Sequence, residues 1–344
     1  MSGNGLTGLA NLGNTCFINS TIQCLSHTYI FNDFLDKGDW KKKLNKKKHA
    51  PDSMLLVEWD KLRTMMWSED CKISPGGFIQ SVQRVAALKK KDLFTGFAQN
   101  DLPEFLLFLV DCFHNSICRE VEMNITGSVK NEKDIMAKKC YEMMQNMYKS
   151  EYSEILNMFY GISVSQLVSM NGKIVGANPE PFFMIDLPIA RPNGEVSNEY
   201  NIEECFEEYT KNELLEGDNA WFNEKTGKKE NVNKGIVFWS LPDILVIDFK
   251  RFSNDNRKNR SKVHFPLTGL DLSKYVVGYN KEQYVYDLYG VCNHTGNVMG
   301  GHYFAYIKNK QGIWYEFNDT EVKPISRDIT DSAYCLFYKK TNKV

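Results

Sequence analysis

The stretch GLANLGNTCFINSTIQCL near the N-terminus places a cysteine, Cys16, at the predicted first turn of a helix. Turn-prone residues at 11–14 precede it, and Thr15 can cap the helix. Apolar residues follow at helical spacing, namely Phe17, Ile18, Ile22 and Leu25. Unpaired backbone N–H groups and the positive end of the helix dipole stabilise a thiolate at this position. Cys16 is therefore a candidate nucleophile, and the alternative is an ordinary buried cysteine.

A thiolate nucleophile needs a histidine to share its proton and a third group to orient the imidazole. The chain contains six histidines, of which His302 has the most suggestive context and His294 is a weaker candidate. The other four lie in helix-like or loop segments without an identifiable orienting group: His27, His49, His114 and His264. The sequence therefore favours His302 as the partner of Cys16.

His302 begins a predicted strand that is followed by a turn at 309–312 and by a second strand. If Lys308 pairs with residue 312 or 313, His302 lies opposite Asn318 or Asp319. Side chains on directly opposite positions are about 5 Å apart, so either residue could hold the imidazole. The alternative is a histidine that only forms hydrogen bonds within the sheet.

A second informative stretch, AQNDLPEFLLFLVD, predicts a helix that begins near Asp101. Glu104 stands three residues later, which is the spacing of a capping box. Ordinary capping explains Asp101 without any ligand. A ligand-binding role for the two carboxylates is the competing interpretation.

The composition and charge of the chain argue against several classes of function. The chain has 344 residues and a formal net charge of −1, so no basic surface indicates nucleic acid or an anionic membrane as a partner. We expect no signal peptide at the N-terminus and no membrane-spanning segment. Nine cysteines without framework spacing favour a reduced, intracellular protein, cytoplasmic or nuclear. Two of the glycosylation triplets begin at Asn19 and Asn318, where a glycan would block the candidate site.

The remaining segments predict a helical first half and a second half dominated by strands. The lysine-rich segment 41–48 is interpreted as a solvated surface loop, although a phosphate or nuclear-import patch is the alternative. The charged, methionine-rich stretch 120–159 has helical periodicity and predicts packing only. Residues 244–249, ILVIDF, predict a fully buried strand.

These segments resemble the ubiquitin-specific proteases, which are deubiquitinases of papain-like fold. The resemblance rests on five segments in family order: GLANLGNTCFINSTIQCL, AQNDLPEFLLFLVD, EPFFMIDLPI, LPDILVIDFKRF and GNVMGGHYFAYIKNKQGIWYEFNDTEV. It implies a single domain of α+β class over residues 1–344. The implied parts are a helical thumb at about 1–160, largely β fingers at 161–240 and a β-sheet palm at 241–344.

The resemblance also assigns roles to individual residues. By position, Cys16 is the nucleophile, His302 the general base and Asn318 the third member of the triad. Asp319 is an adjacent acidic residue that can assist, and Asn11 supplies a side-chain amide to the oxyanion hole.

Substrate contacts are implied in the same way. Asp101 and Glu104 would meet the basic C-terminal tail of ubiquitin, since carboxylates pair with arginine. Gly300 and Gly301 would line a narrow cleft that admits only the terminal Gly-Gly. Loops 252–262 and 291–301 are similar to loops that move when ubiquitin binds.

One departure concerns metal. The family often carries two C-x-x-C pairs in its fingers, and this chain has none. We therefore expect no metal and no cofactor, with fingers held together by packing and strand pairing.

The sequence thus predicts thiol-dependent hydrolysis of the bond after ubiquitin's C-terminal Gly-Gly, through an acyl-enzyme. Expected partners are ubiquitin and ubiquitinated proteins, and we expect a monomer. Two alternatives stay open. One is a peptidase for another ubiquitin-like modifier, and the other is a non-catalytic ubiquitin-binding scaffold.

Overall fold

The computed structural model describes residues 4–253, 255, 257–297, 300–325, 329–330 and 332–341. Parts of the two loops expected to move, at 254, 256, 298 and 299, lie outside the described residues. The helices in chain order are α1 Cys16–Ser26, α2 Tyr29–Asp36, α3 Trp40–Lys43, α4 Ala50–Met66, α5 Gly76–Leu88, α6 Leu102–Ile117, α7 Glu132–Glu151, α8 Glu154–Phe159 and α9 Ile202–Tyr209.

The strands are shorter and concentrated after residue 160. In chain order they are β1 Gly8–Leu9, β2 Lys72–Ile73, β3 Gly161–Ser169, β4 Ile174–Phe182, β5 Met184–Pro188, β6 Glu199–Asn201, β7 Glu213–Leu215, β8 Trp221–Asn223, β9 Lys228–Glu230, β10 Val232–Ser240, β11 Ile244–Lys250, β12 Lys262–His264, β13 Leu270–Asp271, β14 Val285–Asn297, β15 Gly300–Lys308, β16 Trp314–Asn318, β17 Glu321–Pro324 and β18 Ala333–Lys340.

Apart from α7, the helices before residue 160 pack around a core rich in aromatic side chains. Its largest fully buried members include Trp40, Trp59, Phe31, Phe105 and Phe113. Full burial of such a side chain stabilises the fold by about 1.5–3 kcal/mol relative to exposure. Within the methionine-rich stretch, residues 120–131 form an irregular segment and the helix begins at Glu132.

The palm is a mixed sheet with the strand order β17-β16-β15-β14-β18-β11-β5, and β13 pairs with β14 at the side. Its two faces are buried in different cores. Val246 of β11 packs towards the helical thumb, whereas Leu245 and Ile247 pack on the far side with α9. A strand buried on both faces reads as a continuous apolar run, as residues 244–249 predicted.

A second sheet, in the order β4-β3-β10-β7, occupies much of the range 161–240. It packs against α7 through a small core that includes Met136, Cys140 and Trp239. Strand β5 lies inside the same sequence range but pairs in parallel with β11 and so belongs to the palm. Among the described residues, no cluster of three or more His, Cys, Asp or Glu side chains is arranged to hold a metal ion.

No helix in the described part of the chain is both long and apolar enough to cross a membrane.

Candidate active site

Cys16 is the first residue of α1 and is 3% exposed. The preceding loop reverses at Asn14, whose φ is 53°. Thr15 does not cap the helix with its side chain, which corrects the sequence prediction. Its hydroxyl instead accepts a hydrogen bond from Leu12 N at 2.9 Å and lies 3.3 Å from Asn11 Oδ1. The hydroxyl therefore stabilises the loop, and it leaves the N–H groups of the first turn without a side-chain partner from Thr15.

The structure brings three predicted residues together around one imidazole. The side chain of Cys16 is hydrogen-bonded to His302, and His302 Nε2 lies 2.7 Å from Asn318 Oδ1. Because an amide oxygen only accepts, Nε2 carries the hydrogen, and Nδ1 is left for the thiol. The hydrogen bond to Cys16 raises the pKa of His302 to about 9, against the opposing effect of burial, and Asn318 adds to the rise. With a pKa of about 9, the imidazole of His302 is protonated at neutral pH and can act as a proton donor.

The predicted strand register was wrong, although it named the right neighbour. Lys308 pairs with Trp314 rather than with residue 312 or 313, because a longer turn closes on Asn309. Asn309 Oδ1 accepts from Ile313 N at 2.9 Å, and the two backbones also bond. Continued outwards, this register puts His302 level with residue 320. Asn318 is two positions away, on the same face of the sheet, and reaches the imidazole diagonally.

Asp319 follows β16 and links it to the loop and helix that carry Cys16. Its φ of 51° is left-handed. Its two carboxylate oxygens accept hydrogen bonds from Asn11 Nδ2 at 3.0 Å and from Asn19 Nδ2 at 2.8 Å. Its charge contributes to the raised pKa of His302. Asp319 therefore stabilises the imidazolium through space and fixes the loop in front of α1.

The sequence did not identify a role for Asn19. The signal that could have revealed it is a polar residue on the buried face of α1. It is 3% exposed and links the helix to Asp319.

Asn11 is held in one orientation by its neighbours. Its Oδ1 accepts from Gly13 N at 3.0 Å and from Thr15 N at 3.2 Å, while Nδ2 donates to Asp319. An amide has two N–H donors, so one remains for another acceptor. The oxyanion role expected for Asn11 stays a prediction that this orientation permits.

Asp101 does not cap α6 with its side chain, contrary to the capping interpretation. Its Oδ1 accepts from Tyr334 Oη at 2.8 Å and from Tyr303 Oη at 3.1 Å. Both tyrosines belong to palm strands, so this carboxylate lies where the thumb meets the palm. Asp101 and Glu104 are both exposed, and their contact with a basic tail stays a prediction.

The two glycines before His302 differ in their surroundings. A Cβ on Gly301 would lie 2.1 Å from His294 Nε2, whereas a Cβ on Gly300 would meet nothing closer than Gln99 Oε1 at 3.5 Å. Gln99 also bonds both backbone groups of Gly301, donating to its oxygen at 3.0 Å and accepting from its nitrogen at 3.1 Å. Gln99 thus positions the strand that carries His302, a role that the sequence did not reveal.

His294, the weaker candidate, occupies a different position. It is 6% exposed, and its ring centroid lies 4.5 Å from that of Tyr303. Lys258 Nζ lies 2.9 Å from its Nδ1 and also donates to its carbonyl oxygen. Burial and the Lys258 charge lower the pKa of His294 to about 4, so it is neutral at pH 7. His294 packs behind Gly301.

Known proteins are similar to this chain in sequence and in fold. The family model described as ubiquitin carboxyl-terminal hydrolase matches residues 7–338. Ubiquitin carboxyl-terminal hydrolase 2 of Bos taurus is 34% identical over 347 residues, which are 98% of this chain and 55% of that protein. The protein of the same name from Gallus gallus is 34% identical over 345 residues, 97% of this chain and 93% of its own. This chain spans about half the length of the bovine relative.

Solved structures show the same architecture. One is the SAGA DUB module Ubp8/Sgf11/Sus1/Sgf73 bound to monoubiquitin, with a TM-score of 0.73, 24% identity and coverage of 98% of this chain and 70% of that one. The same module bound to ubiquitin aldehyde gives a TM-score of 0.72, 23% identity and the same coverage. The predicted papain-like α+β fold is confirmed. This chain belongs to the ubiquitin carboxyl-terminal hydrolase family, which confirms the resemblance to ubiquitin-specific proteases drawn from its motifs.

Proposed function

We propose that this chain is a thiol-dependent deubiquitinase that hydrolyses the bond after the C-terminal Gly-Gly of ubiquitin. The observation that carries the proposal is the chain of contacts from Cys16 to His302 to Asn318 at the start of a buried helix. A scaffold that only binds ubiquitin has no need of a thiol, an imidazole with a raised pKa and an orienting amide in successive contact. The substrate and partner are ubiquitin and ubiquitinated proteins.

The proposed reaction follows from this geometry. The Cys16 thiolate attacks the carbonyl carbon, and the oxygen becomes an anion that Asn11 Nδ2 and N–H groups of the first turn of α1 stabilise. His302, as imidazolium, donates a proton to the departing amine, and the thioester acyl-enzyme remains. A water then loses a proton to His302 as it attacks the thioester. The thiolate leaves, ubiquitin is released with a free carboxylate, and the initial pair is restored.

All nine cysteines are free thiols, which supports the proposal of an intracellular location. No disulfide would be lost in a reducing compartment. We also propose that the chain acts as a monomer, because Cys16, His302 and Asn318 all come from one chain.

A ubiquitin bearing a C-terminal electrophile tests the function directly. We expect the wild-type chain to gain the mass of one ubiquitin, and Cys16→Ala to gain none. Cys71→Ala is the matched control, because it removes a thiol that is more exposed than Cys16 and should react like the wild type. No adduct on folded wild-type protein would contradict the proposal and favour the scaffold. An adduct formed only with the electrophile of another ubiquitin-like modifier would replace ubiquitin as the substrate.

A further inference from the structure

The backbone of the lysine-rich segment 41–48 is held in place by neighbouring elements. Asn45, which lies between the two lysine triplets, donates its N–H to Ser116 O of α6 at 2.8 Å. Its Oδ1 accepts hydrogen bonds from the backbone N–H groups of Lys47 at 3.1 Å and His49 at 3.2 Å. The segment therefore presents its lysines from an ordered backbone.

The two lysine triplets differ in their partners. Each ammonium group of the first triplet lies beside a carboxylate, in the pairs Lys41–Asp60, Lys42–Asp39 and Lys43–Glu154. In the second triplet Lys46, Lys47 and Lys48 are exposed, and none of them forms an ion pair with a described residue. The second triplet can therefore meet negative charge from outside the chain.

The end of α5 adds positive charge to the same end of the thumb. Lys89 Nζ lies 2.7 Å from Asp52 Oδ1, so the end of α5 lies beside the start of α4, which directly follows the second triplet. Lys90 and Lys91 come next, and both are exposed without an ion pair to a described residue. Five such lysines thus gather at one end of the thumb, although the chain has a formal net charge of only −1.

An apolar groove between α4 and α5 opens next to these lysines. It has a volume of about 370 Å³, and its lining includes Leu44, Lys46, Met54, Val57, Glu58 and Ser81. Met54 is 42% exposed, so an apolar side chain placed against it would remove apolar surface from water. The carboxylate of Glu58 is already paired with Lys61 Nζ at 2.6 Å. The α4–α5 groove is therefore apolar within and positively charged at its rim.

The α4–α5 groove lies far from the candidate active site. Asp101, just before α6, bonds to Tyr303 beside the catalytic histidine, whereas Ser116, near the end of α6, bonds to the lysine-rich segment. A helix rises 1.5 Å per residue, so these two points are about 20 Å apart. A partner in the groove would leave Cys16 accessible to its substrate.

We propose that the α4–α5 groove and its lysines bind an acidic peptide segment of a partner protein, with one apolar side chain of that segment seated in the groove. The five lysines without ion pairs are complementary in charge to several Asp or Glu side chains. Exposed apolar surface within a polar rim is typical of an interaction site. A phosphate chain fits less well, because it has no apolar group to fill the groove. The inference goes beyond the proposed function and does not depend on it.

Fluorescence anisotropy of a labelled peptide tests the charge complementarity. The probe has one leucine flanked on both sides by glutamates, and we expect saturable binding to the full chain that weakens as salt is added. The triple variant Lys46→Glu, Lys47→Glu, Lys48→Glu should bind the probe about tenfold more weakly, because three attractive charges become repulsive. No saturable binding to the wild type would overturn the proposal.

The matched control is the triple variant Lys225→Glu, Lys228→Glu, Lys234→Glu, which makes the same change of charge at exposed lysines of the fingers. It should bind the probe like the wild type, and equal losses in the two triple variants would overturn the proposal. Both should unfold in urea like the wild type, because exposed lysines contribute little to the free energy of unfolding.

A cycle between the groove and the probe tests the apolar contact, and it decides the question if a lysine variant is unstable. Met54→Ser should weaken binding about fivefold, and so should replacing the leucine of the probe by serine. The two changes together should cost no more than either alone, because both remove the same contact. Losses that multiply would overturn the proposal. So would tighter binding of single-stranded DNA or inorganic polyphosphate that Met54→Ser leaves unchanged.

Discussion

Replacing Asn318 by alanine tests the electrostatics of the site most sharply. The substitution removes the acceptor 2.7 Å from His302 Nε2 and leaves the contact with Cys16 in place. A hydrogen bond to a charged group contributes about 1.5–3 kcal/mol. Both residues are half-buried, so solvent screening favours the lower value, about 1.5 kcal/mol. That figure corresponds to about a tenfold loss of kcat/KM.

The same free energy predicts a change in the pH profile. The pKa of His302 is about 9 in the intact site. Losing about 1.5 kcal/mol of preference for the imidazolium lowers that pKa by about 1. The imidazolium is present below its pKa and is lost as the pH rises through it. The alkaline limb of kcat/KM should therefore move from about 9 in the wild type to about 8 in the variant.

The assay is hydrolysis of an isopeptide-linked diubiquitin from pH 6 to 10. An amine leaving group is required because its departure depends on the proton from His302. Asn318→Asp is the control, since it keeps an acceptor at the same place and should stay within about threefold of the wild type. An alanine variant with an unmoved alkaline limb and an unchanged kcat/KM would refute the assigned hydrogen-bond network.

Two further predictions concern stability. Gly301→Ala should lower the free energy of unfolding in urea by about 1–3 kcal/mol, because its Cβ would overlap His294 Nε2. Gly300→Ala is the control and should change the free energy of unfolding by less than about 0.5 kcal/mol. Equal effects of the two substitutions would contradict the packing described. Burial lowers the pKa of His27 to about 4. The unfolded chain therefore binds a proton first, and about 3 kcal/mol of stability present above pH 6.5 is lost as the pH falls to 4. His27→Gln should reduce this pH-dependent loss in the free energy of unfolding. An equally large loss in the variant would contradict the assignment to His27.

Much of this architecture follows from local pattern. The start of α1 at Cys16 and the buried strand at 244–249 were both predictable, because apolar spacing and turn residues agree there. The β hairpin that carries His302 was predictable in the same way.

The predictions that were wrong concern side chains that can form hydrogen bonds with several alternative partners. Thr15 and Asp101 both have cap-forming chemistry, yet each bonds elsewhere, Thr15 to its own loop and Asp101 to two distant tyrosines. The register beside His302 depended on whether Asn309 would close a longer turn, which turn propensity alone does not decide. Asn19 and Gln99 bond to partners far along the chain, so nothing local marked their roles.

The hydrogen bond between Asn11 and Asp319 joins residues 308 positions apart. A ribosome adds about 5–20 residues per second, so roughly 15–60 s separate the synthesis of the two partners. Throughout that interval the nascent chain holds Cys16 without its imidazole, its orienting amide or a fixed loop. On the proposed mechanism, activity therefore begins only after residue 319 has emerged, and a product truncated before residue 318 lacks the orienting amide.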